Sequence, residues 1–274
     1  MDNNIKIIPF GGVRENGKNM YAVEIEDQIF ILDTGLKYPE NELMGIDVVI
    51  PDWEYLREHK DKIVGVFLTH GHADSIGALP YFLMDFNVPV FGSEMTIALA
   101  KLAVKNHKEV KKFNDFHVVD ASTAIDFNDV TVSFFQTTHT IPETLGVVLE
   151  TKAGNIVYTG DFKFDQTAKK GYQTDLARLA EIGSQGVLAL LSDSAGAGIT
   201  GASAREQDIG DYIKETFKYQ NGRIIVASVA SNIMRVQQII NAAVVVGRKI
   251  VLSGKDIEQI IDTAMSLGKL HLPD

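Results

Sequence analysis

Four short apolar runs in this chain each end in a polar cluster, and that repetition constrains the fold more than any other feature. Ile63-Val64-Gly65-Val66-Phe67-Leu68 runs into Thr69-His70-Gly71-His72-Ala73-Asp74-Ser75. Val130-Thr131-Val132-Ser133-Phe134-Phe135 leads to Thr138-His139, Asn155 to Thr159 ends at Gly160-Asp161, and Gly186 to Leu191 ends at Ser192-Asp193-Ser194. Runs of five or six apolar residues bounded by glycine and polar turns read as buried strands. Layered α/β hydrolases carry their sites past the C-terminal ends of such strands, so one rim could collect all four loops.

The rest of the chain supports an α/β reading. Ile5 to Phe10, Met20 to Ile25 and Gln28 to Leu32 read as strands, the last ending at the loop signal Asp33-Thr34-Gly35. A helix is expected from Ile76 through Phe82, with Asp74 or Ser75 as its N-cap. Val88 to Gly92 reads as a short strand and Glu94 to Asn106 as a helix. After the Gly/Ala/Ser-rich stretch Asp193 to Ala204 the rhythm changes. Helix 205–219, strand 223–229, helix 232–245, strand 249–252 and helix 256–267 follow with short connections, the pattern of a parallel sheet. The expected division is therefore 1–200 and 201–274.

Composition bounds the chemistry. There is no cysteine, so any metal is held by histidine and carboxylate, and a reducing, cytoplasmic setting fits. No apolar run approaches the ~18 to 20 residues of a membrane span, and no secretory leader is visible at the N-terminus. The net charge of -10 argues against a broad nucleic-acid surface. That charge is uneven, however: residues 201–274 hold 9 Lys/Arg against 8 Asp/Glu, leaving 17 against 28 for residues 1–200. An RNA ligand would need local contacts, metal ions or a partner.

His70 and His72 flank a glycine and can aim at one ion, while Asp74 can face a neighbouring one. His139 and Asp161, each at a strand end, could complete the first site and bridge to the second. Two ions roughly 3.5–4 Å apart would clamp the attacking and leaving oxygens of a phosphodiester. His59, His107, His117 and His271 lack polar company and read as solvent-facing or packed.

These motifs, His70-Gly71-His72-Ala73-Asp74, Thr138-His139 and Thr159-Gly160-Asp161-Phe162-Lys163-Phe164-Asp165, resemble those of the metallo-β-lactamase superfamily. Within it they look like the ribonuclease J branch of β-CASP nucleases. Gly11 to Met20, Gly45 to Asp52 and Ser231-Asn232-Ile233-Met234-Arg235 add to the likeness. The resemblance implies an αββα metallo-β-lactamase sandwich followed by part of a β-CASP parallel α/β domain. It implies that His70, His72 and His139 hold the first metal, that Asp161 bridges, and that Asp74 binds the second and helps position the nucleophile. The ions expected are Mn2+ or Zn2+, one or two of them. Asp193 falls at the β-CASP acidic motif and would be a third catalytic carboxylate; a cap or turn role explains it equally. Ser231 and Asn232 stand where a helix start could receive RNA phosphate, and helix capping explains them equally.

Two departures qualify the likeness. Active members carry histidine where this chain has Ser75, a pattern resembling a second, weakly active Gram-positive paralogue. The family also runs on well past this length, so a fragment ending inside the β-CASP insert is expected. The resulting expectation is a weak 5′→3′ exoribonuclease with endonuclease capability in mRNA decay and rRNA processing. The alternative is a largely inactive subunit that binds an active paralogue or itself. A small-molecule hydrolase of the same superfamily is a third option, against which the insert after residue 200 speaks.

Overall fold

The computed structural model of this protein describes residues 4–39, 44–165, 167–169, 171–201 and 205–272. The last residues of the Gly/Ala/Ser-rich stretch, 202–204, lie outside them, as do the extreme termini. Two sheets stack face to face. The first has six strands in sequence order: β1 (Ile5–Gly11), β2 (Met20–Ile25), β3 (Gln28–Leu32), β4 (Ile63–Phe67), β5 (Val90–Gly92) and β6 (Phe116–Val118). β1 to β3 pair antiparallel, and β3 to β6 parallel. The second contains β7 (Ala124–Phe127), β8 (Val130–Gln136), β9 (Leu145–Thr151), β10 (Gly154–Tyr158) and β11 (Val187–Leu191), in the order β11-β10-β9-β8-β7. All its pairings are antiparallel except β10 with β11.

Helices cover both outer faces. α1 (Glu54–Glu58), α2 (Ala73–Ile76), α3 (Leu79–Asp85) and α4 (Glu94–Asn106) connect strands of the first sheet, and α5 (Leu176–Ser184) covers the second. α6 (Glu206–Tyr219), α7 (Ile233–Val245) and α8 (Lys255–Ser266) follow. The fold is the expected αββα sandwich.

β3 is apolar from Ile29 to Leu32 because both of its faces are buried there. Phe30 and Leu32 point between the sheets with Phe67, Val132, Phe134 and Val147. Ile29 and Ile31 point outward against Leu79, Phe82 and Leu99 of the helices. Burying each such side chain contributes about 1.5–3 kcal/mol. Gly65 leaves room for Phe91 to stack on Phe67, whose ring centroids are 5.0 Å apart; a Cβ there would lie 2.9 Å from the Phe91 ring. α4 starts where the sequence predicts: the Ser93 hydroxyl accepts the Thr96 amide hydrogen at 3.4 Å, with Glu94 in the first turn.

Three local expectations are corrected. The single helix predicted over 76–82 is two short ones, and His72, not Asp74 or Ser75, occupies the N-cap position of α2 without a side-chain cap. Asp74 and Ser75 are inside the helix. The runs 223–229 and 249–252, predicted as strands, carry no strand pairing. Their β-branched residues stand exposed, Ile225 at 89% and Val251 at 88%. An extended run becomes a strand only when a neighbour supplies the ladder bonds, and among the described residues none does. The three helices of this region form as predicted. Ile233, Val236, Ile240 and Ile261 of α7 and α8 join the core that backs the first sheet.

Candidate metal centre

The rim past the strand ends gathers the predicted ligands. β4 delivers His70 and His72, β8 delivers His139, and β10 delivers Asp161. The three imidazoles stand with ring centroids 4.8 Å apart in every pairing, inclined by 71–86°. His139 Nε2 and His72 Nδ1 are 3.0 Å apart. His70 Nε2 lies 3.9 Å from Asp74 Oδ1 and 3.8 Å from Asp161 Oδ2. Two donor groups result, His70/His72/His139 and His70/Asp74/Asp161, each with its ligand atoms within 4.8 Å of one another. The other four histidines stay outside both groups, as expected. His59 stacks on Tyr55 and His117 pairs with Asp115.

The residues fit divalent metal. His70 is fully buried, and its Nε2 has no hydrogen-bond partner. An imidazole nitrogen left bare in the interior is costly unless something electropositive meets it. Burial holds His70 well below its ordinary pKa, while burial together with His72 and Lys163 lowers His139 to about 3. Both are therefore neutral donors at physiological pH. For His72, burial likewise dominates, opposed by Asp74 and by the backbone of Ser231.

A buried hydrogen-bond chain fixes which nitrogen of His70 is bare, and sequence reading overlooked its anchor. Asp33, fully buried at the end of β3, accepts the Thr69 amide at 2.8 Å, the Thr69 hydroxyl at 2.8 Å and the Tyr158 hydroxyl at 2.9 Å. With its one proton given to Asp33, Thr69 Oγ1 must accept from His70 Nδ1, 2.9 Å away. The proton sits on Nδ1, and Nε2 offers its lone pair to the cluster. The strand-end rule that pointed to the candidate ligands also applies to Asp33, which reads as part of a turn when taken alone.

The loops are stitched by backbone. The amides of Asn19, Thr34 and Leu36 donate to the carbonyls of Asp74, Ser75 and Ala73 at 3.0, 2.7 and 3.0 Å. Ser75 is fully buried and its hydroxyl meets no partner. Asp193 lies beside the carboxylates: its charge raises the pKa of both Asp161 and Asp74. It also accepts the Ala195 amide at 2.8 Å, the turn role the sequence allowed. Asn232 caps α7, its Oδ1 accepting the Arg235 amide at 3.0 Å. Ser231 and Asn232 line the same groove of about 900 Å³ as His72 and Asp74.

Asp161 is pushed up to about 8, first by burial and then by the charges of Asp74, Asp193 and Asp33. A cation entering the site displaces that proton, so affinity should rise with pH, about tenfold per unit while Asp161 is protonated, and level off above pH 8. Calorimetric titration with Zn2+ in buffers of different ionisation enthalpy should show release of a proton from the site at pH 7. An affinity independent of pH between 6.5 and 8.5 would refute this.

Comparisons with known proteins agree with the geometry. Residues 13–185 match the metallo-beta-lactamase superfamily, and residues 221–274 match the ribonuclease J beta-CASP domain. The chain is 58% identical over 270 residues to ribonuclease J 2 of Streptococcus pyogenes, covering 98% of this chain and 49% of that protein. It is 46% identical over 269 residues to ribonuclease J 2 of Staphylococcus epidermidis, covering 98% and 48%. It thus spans about half the length of these curated relatives. A crystal structure of a protein of unknown function from Enterococcus faecalis V583 shares the fold, with a TM-score of 0.63 at 14% identity, covering 92% of this chain and 71% of that one. The sandwich, the strand-end ligand cluster and these matches converge: the chain belongs to the metallo-beta-lactamase superfamily, in its ribonuclease J branch.

Proposed function

We propose that this chain carries the metal-dependent centre of a ribonuclease of mRNA decay and rRNA processing, acting 5′→3′ with endonuclease capability. The supporting observation is that two members of the cluster, His72 and Asp74, line a groove between the two regions. Asn16, Lys37 and Tyr38 line it from the first region, and Ser231 and Asn232 from the second. Tyr38 is 63% exposed there, and stacking of a base on such a ring contributes about 1–3 kcal/mol. The matched β-CASP segment favours RNA over a small-molecule substrate.

In this reading His70, His72 and His139 would hold one ion, Asp74 would hold the other, and Asp161 would serve both. The nitrogen-rich group suits Zn2+ and the carboxylate-rich group suits Mn2+. A divalent ion there supplies Lewis acidity and a nucleophilic oxygen near neutral pH. Asp161 and Asp74 hold and release a proton between them, Asp193 presents a carboxylate beside both, and the α7 start receives a phosphate.

Ser75 favours a weak enzyme, because a serine hydroxyl replaces an imidazole ligand. It equally favours a second reading, a structural subunit that binds an active ribonuclease J paralogue in the cytoplasm. No helix among the described residues is long and apolar enough to cross a membrane, and neither reading requires one.

The deciding experiment is degradation of 5′-monophosphorylated, 3′-labelled RNA with Mn2+, Mg2+ or Zn2+, with His72→Ala and Asp161→Ala alongside. Metal-dependent mononucleotide release that both substitutions abolish is the expected result, and Ser75→His should increase it. Activity no higher than in the two substituted proteins refutes the nuclease and leaves the subunit.

A further inference from the structure

Beyond the ligand cluster, the structure contains a buried ion network that neither the ligand assignment nor the groove uses. Glu206 opens α6 and is only 5% exposed. Its Oε1 accepts Lys163 Nζ at 2.5 Å and its Oε2 accepts Arg235 NH2 at 3.3 Å. Its own amide donates to Asp165 Oδ2 at 2.8 Å, and its carbonyl accepts Gln238 Nε2 at 2.9 Å. Asp165 is equally buried and lies 4.0 Å from the Lys163 ammonium. The quartet Lys163, Arg235, Asp165 and Glu206 sums to zero charge. A buried charged set is tolerated only when each member is paired.

Glu206 itself stands on α6, outside the centre, but its three charged partners belong to segments that build it. Lys163 follows Asp161 by two residues, and its amide donates to the Thr138 carbonyl at 3.0 Å, one residue before His139. Asp165 ends the same loop. Arg235 is in the first turns of α7, whose start lies in the groove with His72. The next amide toward that start, Met234, donates to the Thr140 carbonyl at 3.1 Å, directly after His139. One carboxylate thus ties the Asp161 loop, the His139 strand end and the groove wall together across more than forty residues of chain.

We infer that Glu206 is a positioning residue for the metal centre: it holds Lys163 and Arg235 so that the Asp161 loop, the His139 loop and the start of α7 keep one arrangement, and it cancels cationic charge beside the imidazoles. The inference rests on the metal-binding reading above. Its physical content is electrostatic as well as steric. Without the Glu206 charge, Lys163 and Arg235 have only Asp165 to balance them. A net positive charge then stands next to a site that must accept a cation. The Lys163 charge is already felt at His139, where it helps keep the imidazole neutral.

The test compares the full chain with Glu206→Gln and with the double variant Glu206→Gln/Lys163→Met. Glu206→Gln should weaken Zn2+ binding about tenfold, the scale of losing a residue that orients ligands. The double variant leaves one cation, Arg235, and one anion, Asp165, so that the charge again sums to zero, and should recover most of that loss, without regaining thermal stability. A lower Tm with unchanged Zn2+ affinity, or no recovery in the double variant, overturns the inference. In the metal-free protein, Glu206→Gln should speed amide hydrogen exchange at least tenfold in 138–140 and 161–165, and unchanged exchange overturns it too. His72→Ala separates the two readings: wild-type Zn2+ binding no better than this control refutes the metal site itself, and exchange still decides the role of Glu206.

Discussion

Gly35→Ala should leave little folded protein and no metal centre. A Cβ at Gly35 would lie 1.5 Å from the Asp74 carbonyl oxygen and 2.7 Å from the Asn19 amide nitrogen. Both obstacles are backbone, so no side chain can swing away. The Gly35 amide itself donates to the Asn19 carbonyl at 2.9 Å, inside the stitching that sets Asp74. Overlap on this scale exceeds ordinary overpacking, and a loss of at least about 4 kcal/mol is expected, against a typical domain stability of about 5–15 kcal/mol. Chain that does fold has displaced the Asp74 loop and should bind Zn2+ poorly. Gly183→Ala is the matched control, since nothing lies within 4 Å of a Cβ there and the residue sits in α5. It should stabilise by a few tenths to about 1 kcal/mol. Urea unfolding followed by circular dichroism decides the matter. A Gly35→Ala protein with wild-type midpoint and Zn2+ affinity would show that the close approach is not needed.

That close approach illustrates what a reader of the sequence alone could and could not obtain. The members of the cluster were legible as candidates because metal chemistry admits few residue types, and His70, His72, Asp74, His139 and Asp161 all follow apolar strand runs. The strands themselves were legible where both faces are buried, as in β3 and β4. Gly35 carries no such mark: its necessity comes from Asp74, thirty-nine residues on. Asp33 was hidden for the same reason, because the hydroxyl it holds on Tyr158 is 125 residues away. Glu206, by sequence alone, is one acidic residue in the first turn of a helix. Its partners Lys163 and Arg235 are met only through the tertiary fold. The opposite error occurred at 223–229 and 249–252, where β-branched residues signalled strands that have no partner to pair with. Local pattern reports propensity, and pairing is a tertiary fact.

Asp33→Ala should be the most damaging substitution among residues that touch no proposed ligand to substrate. Asp33 is a fully buried carboxylate with φ of +60°, and burial, opposed by its hydrogen bonds from Thr69 and Tyr158, pushes it up to about 7. Alanine removes the acceptor for three donors. The Thr69 amide and the Tyr158 hydroxyl are then buried without partners, each costing about 1–3 kcal/mol, and alanine tolerates the positive φ poorly. A combined loss of about 3–5 kcal/mol is expected from these terms. The effect on metal has a separate origin. The Thr69 hydroxyl, released from Asp33, is free to donate to His70 Nδ1, which moves the ring proton to Nε2 and blocks the lone pair facing the cluster. Loss of such an orienting partner weakens metal binding about 10- to 100-fold. Thr69→Val comes nearest to isolating this second effect, since it leaves Asp33 with the residue-69 amide and Tyr158 and removes the hydroxyl that joins Asp33 to His70. It should cost less stability than Asp33→Ala yet weaken Zn2+ binding to a similar degree. The measurement is Zn2+ calorimetry at a temperature where both variants are folded, paired with thermal unfolding. Equal Zn2+ affinity in wild type and Thr69→Val would remove the tautomer argument, leaving Asp33 as a packing residue alone.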